Sequence, residues 1–464
     1  MNLKQSIICL LLIQFLFAGW ARAQDKRPPY QYPSDPEVLK NLKEWQDMKF
    51  GLFMHWGAYS QWGIVESWSI CPEDYPFTSV RPHNKSYFEY VKEYENLITT
   101  FNPVKFDPDK WAKAAKNAGM KYVVFTTKHH DGFNMFDTKQ TDYRITAANC
   151  PFHTNPRANV AKKIFDSFRK EGFMAGAYYS IADWHSNDYW WDYFPPLNRG
   201  LNYSAEKYLE KWERFKDFMY NQLGELTDGE YGKLGLMWFD LCDVLNAHPS
   251  DWDRLAKLVR TNQPGIIMVA RYSNGPYENY RTPEQEVPDK ALDYPWETCM
   301  TMGNSWSFKP NDQYKSVHEL VQMLVQIVSR GGNFLLNIGP GPDGDFDPVA
   351  YQRLKGIGDW MKINGEAIYG TKPIEPYHET KTVFTQKDGD VYAFYLPGKE
   401  EMKMPEKVMI YSMKPVKGSR VYMLGYDKPL HWETKGAGFL IDLPKTLQTN
   451  PVCKDAWTFK FQTK

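Results

Sequence analysis

From Lys49 onward the chain alternates short apolar runs with longer amphipathic stretches, and no other feature constrains the fold as tightly. Strands are expected at residues 50–56, 122–127, 173–179, 234–239, 266–270 and 334–338. Helical periodicity falls between them, from the Asp107-Pro108 start to Gly119 and over residues 160–170, 205–223, 251–260, 317–329 and 350–363. Strands and helices in strict succession give a parallel sheet, either doubly wound or closed into a barrel. The barrel is favoured. No glycine-rich phosphate loop follows the first strand, and polar residues recur at the C-terminal ends of several strands, where a barrel gathers its active site.

Near Ile368 the texture changes to short alternating strands broken by Pro, Gly and Asp, expected at residues 391–396, 407–411, 420–424, 438–443 and 456–461. The fold class is therefore read as α/β: a (β/α)8-like, TIM-type barrel over residues 24–368, then a C-terminal antiparallel β-sandwich over 369–464. Residues 1–23 read as an export signal. Lys4 precedes an apolar run at 7–17, which ends before the small-x-small pattern Ala21-Arg22-Ala23. That run is too short to span a bilayer, so the expectation is a periplasmic or extracellular protein without membrane insertion.

Charge and cysteine content exclude several classes. Lys+Arg and Asp+Glu both total 56, leaving no net field to attract nucleic acid. Cys71, Cys150, Cys242, Cys299 and Cys453 show neither CxxC nor zinc spacing, and buried thiols are favoured over a disulfide framework. Neither HxH nor HExxH occurs, so no metal and no cofactor is expected. Aromatic residues reach 16 %, which composition alone cannot divide between a large core and sugar stacking; core is the default reading.

The chemistry concentrates at strand ends. The first strand runs into His55-Trp56-Gly57 and the second into Lys128-His129-His130-Asp131-Gly132. The third ends at Tyr178-Tyr179-Ser180, the fourth at Trp238-Phe239-Asp240, and the fifth at Arg271. Strand alternation carried past Lys128 would turn His129 and His130 to opposite sides, and Lys128 and Asp131 taken singly read as solvated loop charges. Asp240 closes an apolar run, as a positioned nucleophile would. Glycoside hydrolysis needs a second carboxyl to protonate the departing oxygen. Glu297, which Trp296 would desolvate, ranks ahead of Glu284 for that task.

In order along the chain, these pieces resemble the retaining α-L-fucosidase family (glycoside hydrolase family 29). They are His55-Trp56-Gly57, Lys128 to Phe133, Tyr178-Tyr179-Ser180, Trp238-Phe239-Asp240, Trp296-Glu297-Thr298-Cys299, the Gly331 to Pro340 segment and Asn364 to Gly370. The resemblance implies an exo-acting hydrolase that releases terminal α-L-fucose from an oligosaccharide or glycoconjugate through a fucosyl-enzyme intermediate. Asp240 takes the nucleophile's position. Glu297 or Glu284 takes that of the acid/base, since family members use either. His55, His129 and His130 fall where the fucose hydroxyls are held. Tyr179, Trp238 and Arg271 fall beside them, Trp306 on the sugar's methyl face, and Glu66, with Trp68 after it, on a further hydroxyl. Many relatives carry Gly where Leu241 follows the nucleophile. A retaining glycosidase of other sugar specificity and a non-catalytic glycan-binding protein share part of this set, and a metal-dependent hydrolase less of it.

Overall fold

Seven strands form one parallel sheet in the computed structural model, which describes residues 28–73, 84–246, 248–401 and 403–463. They are β1 (Phe50–Met54), β2 (Tyr122–Lys128), β3 (Met174–Ser180), β4 (Leu236–Asp240), β5 (Ile267–Ala270), β6 (Glu297–Thr301) and β7 (Asn333–Asn337), in spatial order 5-4-3-2-1-7-6. Six were expected. β6 was not, because its sequence, Glu-Thr-Cys-Met-Thr, has no apolar run. The export segment at residues 1–23 lies outside the described residues.

Alternation along each strand sorts side chains into two layers. Phe53, Tyr122, Val124, Tyr178, Leu236, Trp238, Val269 and Leu335 fill the inside of the curled sheet. Their neighbours Leu52, Val123, Phe125, Tyr179, Met237 and Phe239 pack outward against the helices. The amphipathic helices Val160–Lys170 and Val317–Ser329 have the expected ends, set by the Asn159 cap and by the Ser316/Glu319 capping box. The helix expected at 205–223 is Leu209–Thr227, shifted four residues along the chain. Gly51 is among the glycines needed for packing: a Cβ there would lie 2.4 Å from the Tyr122 ring.

Between β5 and β6 no regular strand closes the sheet. The segment 277–285 runs there instead. Asn279 donates its backbone N–H to Met268, Arg281 to Pro295 and Gln285 to Cys299, while Glu297 donates back to Arg281. The irregular closure frees Arg271, Thr282 and Glu284 to turn toward the barrel mouth.

The C-terminal part is an eight-stranded antiparallel sheet of Lys372–Glu379, Thr382–Lys387, Asp390–Tyr395, Lys407–Ile410, Val421–Met423, Tyr426–Lys435, Gly438–Asp442 and Trp457–Gln462. It wraps one apolar core that includes Phe384, Val391, Ile410, Phe439, Ile441, Trp457 and Phe459. Five of the eight strands follow the sequence expectation. Of the other three, Lys372–Glu379 and Tyr426–Lys435 carry many exposed polar residues, which masks their apolar face, while Thr382–Lys387 buries threonines among its few apolar residues and so shows no clear alternation.

Candidate active site

A cavity of about 300 Å³ opens at the C-terminal ends of the parallel strands. Of the residues singled out from sequence, His55, Glu66, Trp68, His129, His130, Trp238, Asp240, Arg271, Glu284 and Trp306 line it. Tyr179 and Glu297 do not.

Asp240 is the last residue of β4. Its carboxylate accepts hydrogen bonds from the Tyr178 hydroxyl (3.0 Å), the Leu241 backbone N–H (2.9 Å) and the Arg271 guanidinium (3.1 Å). Burial alone would push its carboxyl up. The Arg271 charge, helped by the two other donors, outweighs burial and holds it below the usual aspartate range. Arg271 also pairs with Glu284 at 2.7 Å, and its guanidinium lies over the Trp238 ring at 5.0 Å. One cation thus bridges two carboxylates. Both strand ends turn sharply: Leu241 and Tyr272, just after Asp240 and Arg271, have φ of 47° and 58°. That left-handed conformation costs a non-glycine residue about 1 kcal/mol.

The histidines are buried and neutral. Burial lowers His55 to about 4 and His130 to about 3, and takes His129 well below its ordinary value. His55 Nδ1 meets Asn337 Oδ1 at 2.8 Å. His130 Nδ1 meets Ser180 Oγ at 2.8 Å, and that hydroxyl donates to the Ala182 carbonyl, so His130 Nδ1 carries the hydrogen. Both rings then keep Nε2 as an acceptor for a hydroxyl. His129 sits 2.5 Å from Ser67 Oγ and stacks on Tyr178, ring centroids 5.6 Å apart. Glu66 is buried with Oε1 unpartnered, and burial raises its carboxyl to about 8. At neutral pH it is a hydrogen-bond donor as well as an acceptor.

The geometry corrects several expectations. Tyr179 points outward: its hydroxyl donates to Gln222 and its ring packs under Lys128. Tyr178 takes the inward place, because it pairs in register with Trp238 and stacks on it at 5.4 Å. His129 and His130 do not diverge. The register slips between Thr126 and Lys128, β2 ends there, and the two rings lie 4.0 Å apart in the same cavity. Lys128 and Asp131 are not solvated loop charges. Lys128 is buried against Asp183 at 3.1 Å, and Asp131 accepts from Tyr94 at 2.7 Å.

Glu297 begins β6, opposite Asn333 at the start of β7, and so sits at the floor of the barrel and away from Asp240. Its carboxyl accepts from Tyr122 (2.5 Å), Tyr280 (3.1 Å) and the Trp238 indole N–H (3.2 Å). Burial raises it to about 7. The desolvation expected there is real, but Trp296 is not its source: that ring turns outward and donates to the Arg330 carbonyl.

Reading the strand pairs at the mouth by parity would have found Tyr178. Ser67, Ser180 and Asn337, which fix the three histidine rings, and Arg199 of the cavity wall carry no comparable signal. The five cysteines among the described residues are free thiols, four of them buried. Among the described residues no group of three or more His, Cys, Asp or Glu is arranged to hold a metal ion, and no helix is long and apolar enough to cross a membrane.

The Alpha-L-fucosidase family model matches residues 18–366, and the Alpha-L-fucosidase C-terminal domain matches 377–462. The chain belongs to the α-L-fucosidase family. It is a glycoside hydrolase that acts on α-L-fucosyl linkages of fucose-containing glycans with retention of configuration. The enzyme is 30% identical to tissue α-L-fucosidase of Rattus norvegicus, over 96% of this chain and 95% of that one. It is 27% identical to α-L-fucosidase isoenzyme 1 from Paenibacillus thiaminolyticus, with a TM-score of 0.75 over 92% of this chain and all of the other. The enzyme also resembles Thermotoga maritima α-fucosidase, solved with a mechanism-based inhibitor. Identity there is 26%, with a TM-score of 0.71 over 93% of this chain and 100% of that one.

Proposed function

We propose that Asp240 is the nucleophile and Glu284 the acid/base of this hydrolysis, with Glu297 outside the reaction. The observation that carries the assignment is the guanidinium of Arg271, which touches both Asp240 and Glu284 at the mouth. In the first step Asp240 attacks the anomeric carbon and its bond to the leaving oxygen breaks. Glu284 gives that oxygen a proton, and a β-fucosyl ester of Asp240 remains. In the second step Glu284 takes a proton from water, the oxygen of that water attacks the same carbon, and the Asp240 carboxylate departs. Two inversions leave α-L-fucose.

Arg271 keeps Asp240 ionised for attack. His55, His129, His130 and Glu66 supply acceptors and a donor to the sugar hydroxyls, while Trp238, Trp306 and Trp68 give the apolar walls. The catalytic unit is residues 24–368 and the sandwich 369–464, with the chain exported on removal of 1–23.

Glu284→Ala should lower kcat/KM about 10²- to 10⁴-fold on a poor leaving group and far less on an activated aryl fucoside. Azide should restore turnover of the aryl substrate and give α-L-fucosyl azide, since azide replaces water in the second step. Glu297→Ala should show no azide rescue. Rescue of the Glu297 variant instead would reverse the assignment.

A further inference from the structure

Two further cavities flank the fucose pocket on different sides. One shares Arg199, Leu241 and Asp243 with it and continues along residues 200–206. The other, about 530 Å³, shares Glu66, Trp68, Glu284 and Trp306 with it and extends along Gly63–Val65 and Asn304–Lys309. The first touches Leu241 and Asp243, just after Asp240, and does not reach Glu284. The second touches Glu284 and none of residues 240–243.

In-line displacement discriminates between them. The attacking carboxylate and the leaving oxygen lie on opposite sides of the anomeric carbon, and the acid lies beside the leaving oxygen. The cavity behind Asp240 is therefore on the wrong side for the leaving group, and the groove beside Glu284 is on the right one. The groove's chemistry also suits a sugar. Ile64, Val65 and Trp306 offer apolar surface to a pyranose face. The Asn304 side-chain amide and the Lys309 ammonium stand on the same groove with no hydrogen bond or ion pair of their own among the described residues, the Asn304 backbone N–H being held by Asp312.

We infer that this groove is the subsite for the first saccharide of the leaving group, with Asn304 and Lys309 donating to its hydroxyls and Trp306 dividing it from the fucose pocket. The inference rests on Glu284 as the acid/base. It makes the 63–65 and 304–309 loops the determinants of which fucosylated glycan is cleaved.

The test compares wild type, Asn304→Ala, Lys309→Ala and the double variant on two substrates. One is 4-nitrophenyl α-L-fucoside. The other is the best of a panel of α-1,2-, α-1,3-, α-1,4- and α-1,6-linked fucosyl disaccharides. Glu206→Ala, on the opposite cavity, is the control. The expected result is that the disaccharide-to-aryl ratio of kcat/KM falls about tenfold in the double variant, chiefly through a higher KM for the disaccharide, and holds in the control. A ratio that moves no further than in Glu206→Ala overturns the subsite. So does a wild type that cleaves the aryl fucoside and none of the disaccharides. A wild type inert on both substrates would strike at the fucosidase reading itself.

Discussion

Asp240, half-buried, and Glu297, fully buried, are both carboxylates at strand ends, and each accepts three hydrogen bonds, yet their surroundings drive them in opposite directions. Asp240 at the mouth has a guanidinium among its three donors and is held ionised. Glu297 at the floor has two phenols and an indole, all neutral, and burial wins, lifting it to about 7. At Glu297 the hydrogen bonds from neutral groups do not offset the loss of water around the carboxylate, whereas at Asp240 a full opposite charge does. The same side-chain chemistry is thus held ionised at one end of the barrel and keeps its proton up to about pH 7 at the other.

The contrast breaks most sharply at Asp240, the proposed nucleophile. Asp240→Asn keeps shape and can still accept from Tyr178, but an amide cannot form the glycosyl ester. Turnover should fall by at least about 10⁴-fold, while calorimetry still finds fucose bound. Turnover close to wild type would place the nucleophile elsewhere. An Asp240→Gly variant supplied with azide should form β-L-fucosyl azide, the opposite anomer from the Glu284 variant, because only one inversion then occurs.

At the floor the expected effect is on stability. The folded Glu297 has a carboxyl raised from 4.5 to about 7, so the fold prefers it protonated. Below about pH 4.5 both folded and unfolded chains hold the proton and nothing is lost. As pH rises through 4.5 to 7 the unfolded chain ionises first and stability declines; above 7 the loss levels off. The full penalty is on the order of 3 kcal/mol. Glu297→Gln does not titrate. Its Oε1 can accept from Trp238 and Tyr280 while its amide donates to the Tyr122 oxygen. Denaturation midpoints between pH 5 and 8 should therefore fall less steeply in the variant. Glu66 and Asp131, also raised by burial, titrate in both proteins, so the difference isolates Glu297. Parallel curves would mean that Glu297 is ionised in the fold.

How much of this was legible in the sequence depends on where each partner lies. The helices 160–170 and 317–329 could be read to the residue because their caps and apolar stripes are local. The mouth was readable as well, since polar residues interrupting apolar runs mark strand ends. Glu297 was misplaced because the groups that bury and bind it, Tyr122, Trp238 and Tyr280, are distant in sequence, and because a Trp-Glu pair looks the same at either end of a strand. The closure by residues 277–285 was hidden for a related reason: its hydrogen bonds are irregular and follow no period of two. The faces of Tyr178 and Tyr179 were open to parity, since Trp238 and Asp240 lie two apart on one strand and Tyr178 pairs beside the first.

Those two tyrosines give the finest test of what holds Asp240. Tyr178→Phe removes one neutral donor from the carboxylate and leaves Arg271 in place. If the guanidinium decides the charge, the acid limb of the kcat/KM profile should stay below the ordinary aspartate range, and kcat/KM should drop only about tenfold, the worth of one hydrogen bond to a charged group. A large upward movement of that limb would show that neutral donors matter as much as the cation. Tyr179→Phe, one residue along and on the other face, removes a bond to Gln222. It should cost about 1 kcal/mol of stability and leave the pH profile where it was. A shift in activity as large as that of Tyr178→Phe would mean that the outer layer, through Lys128 and Asp183, sets the geometry of the mouth.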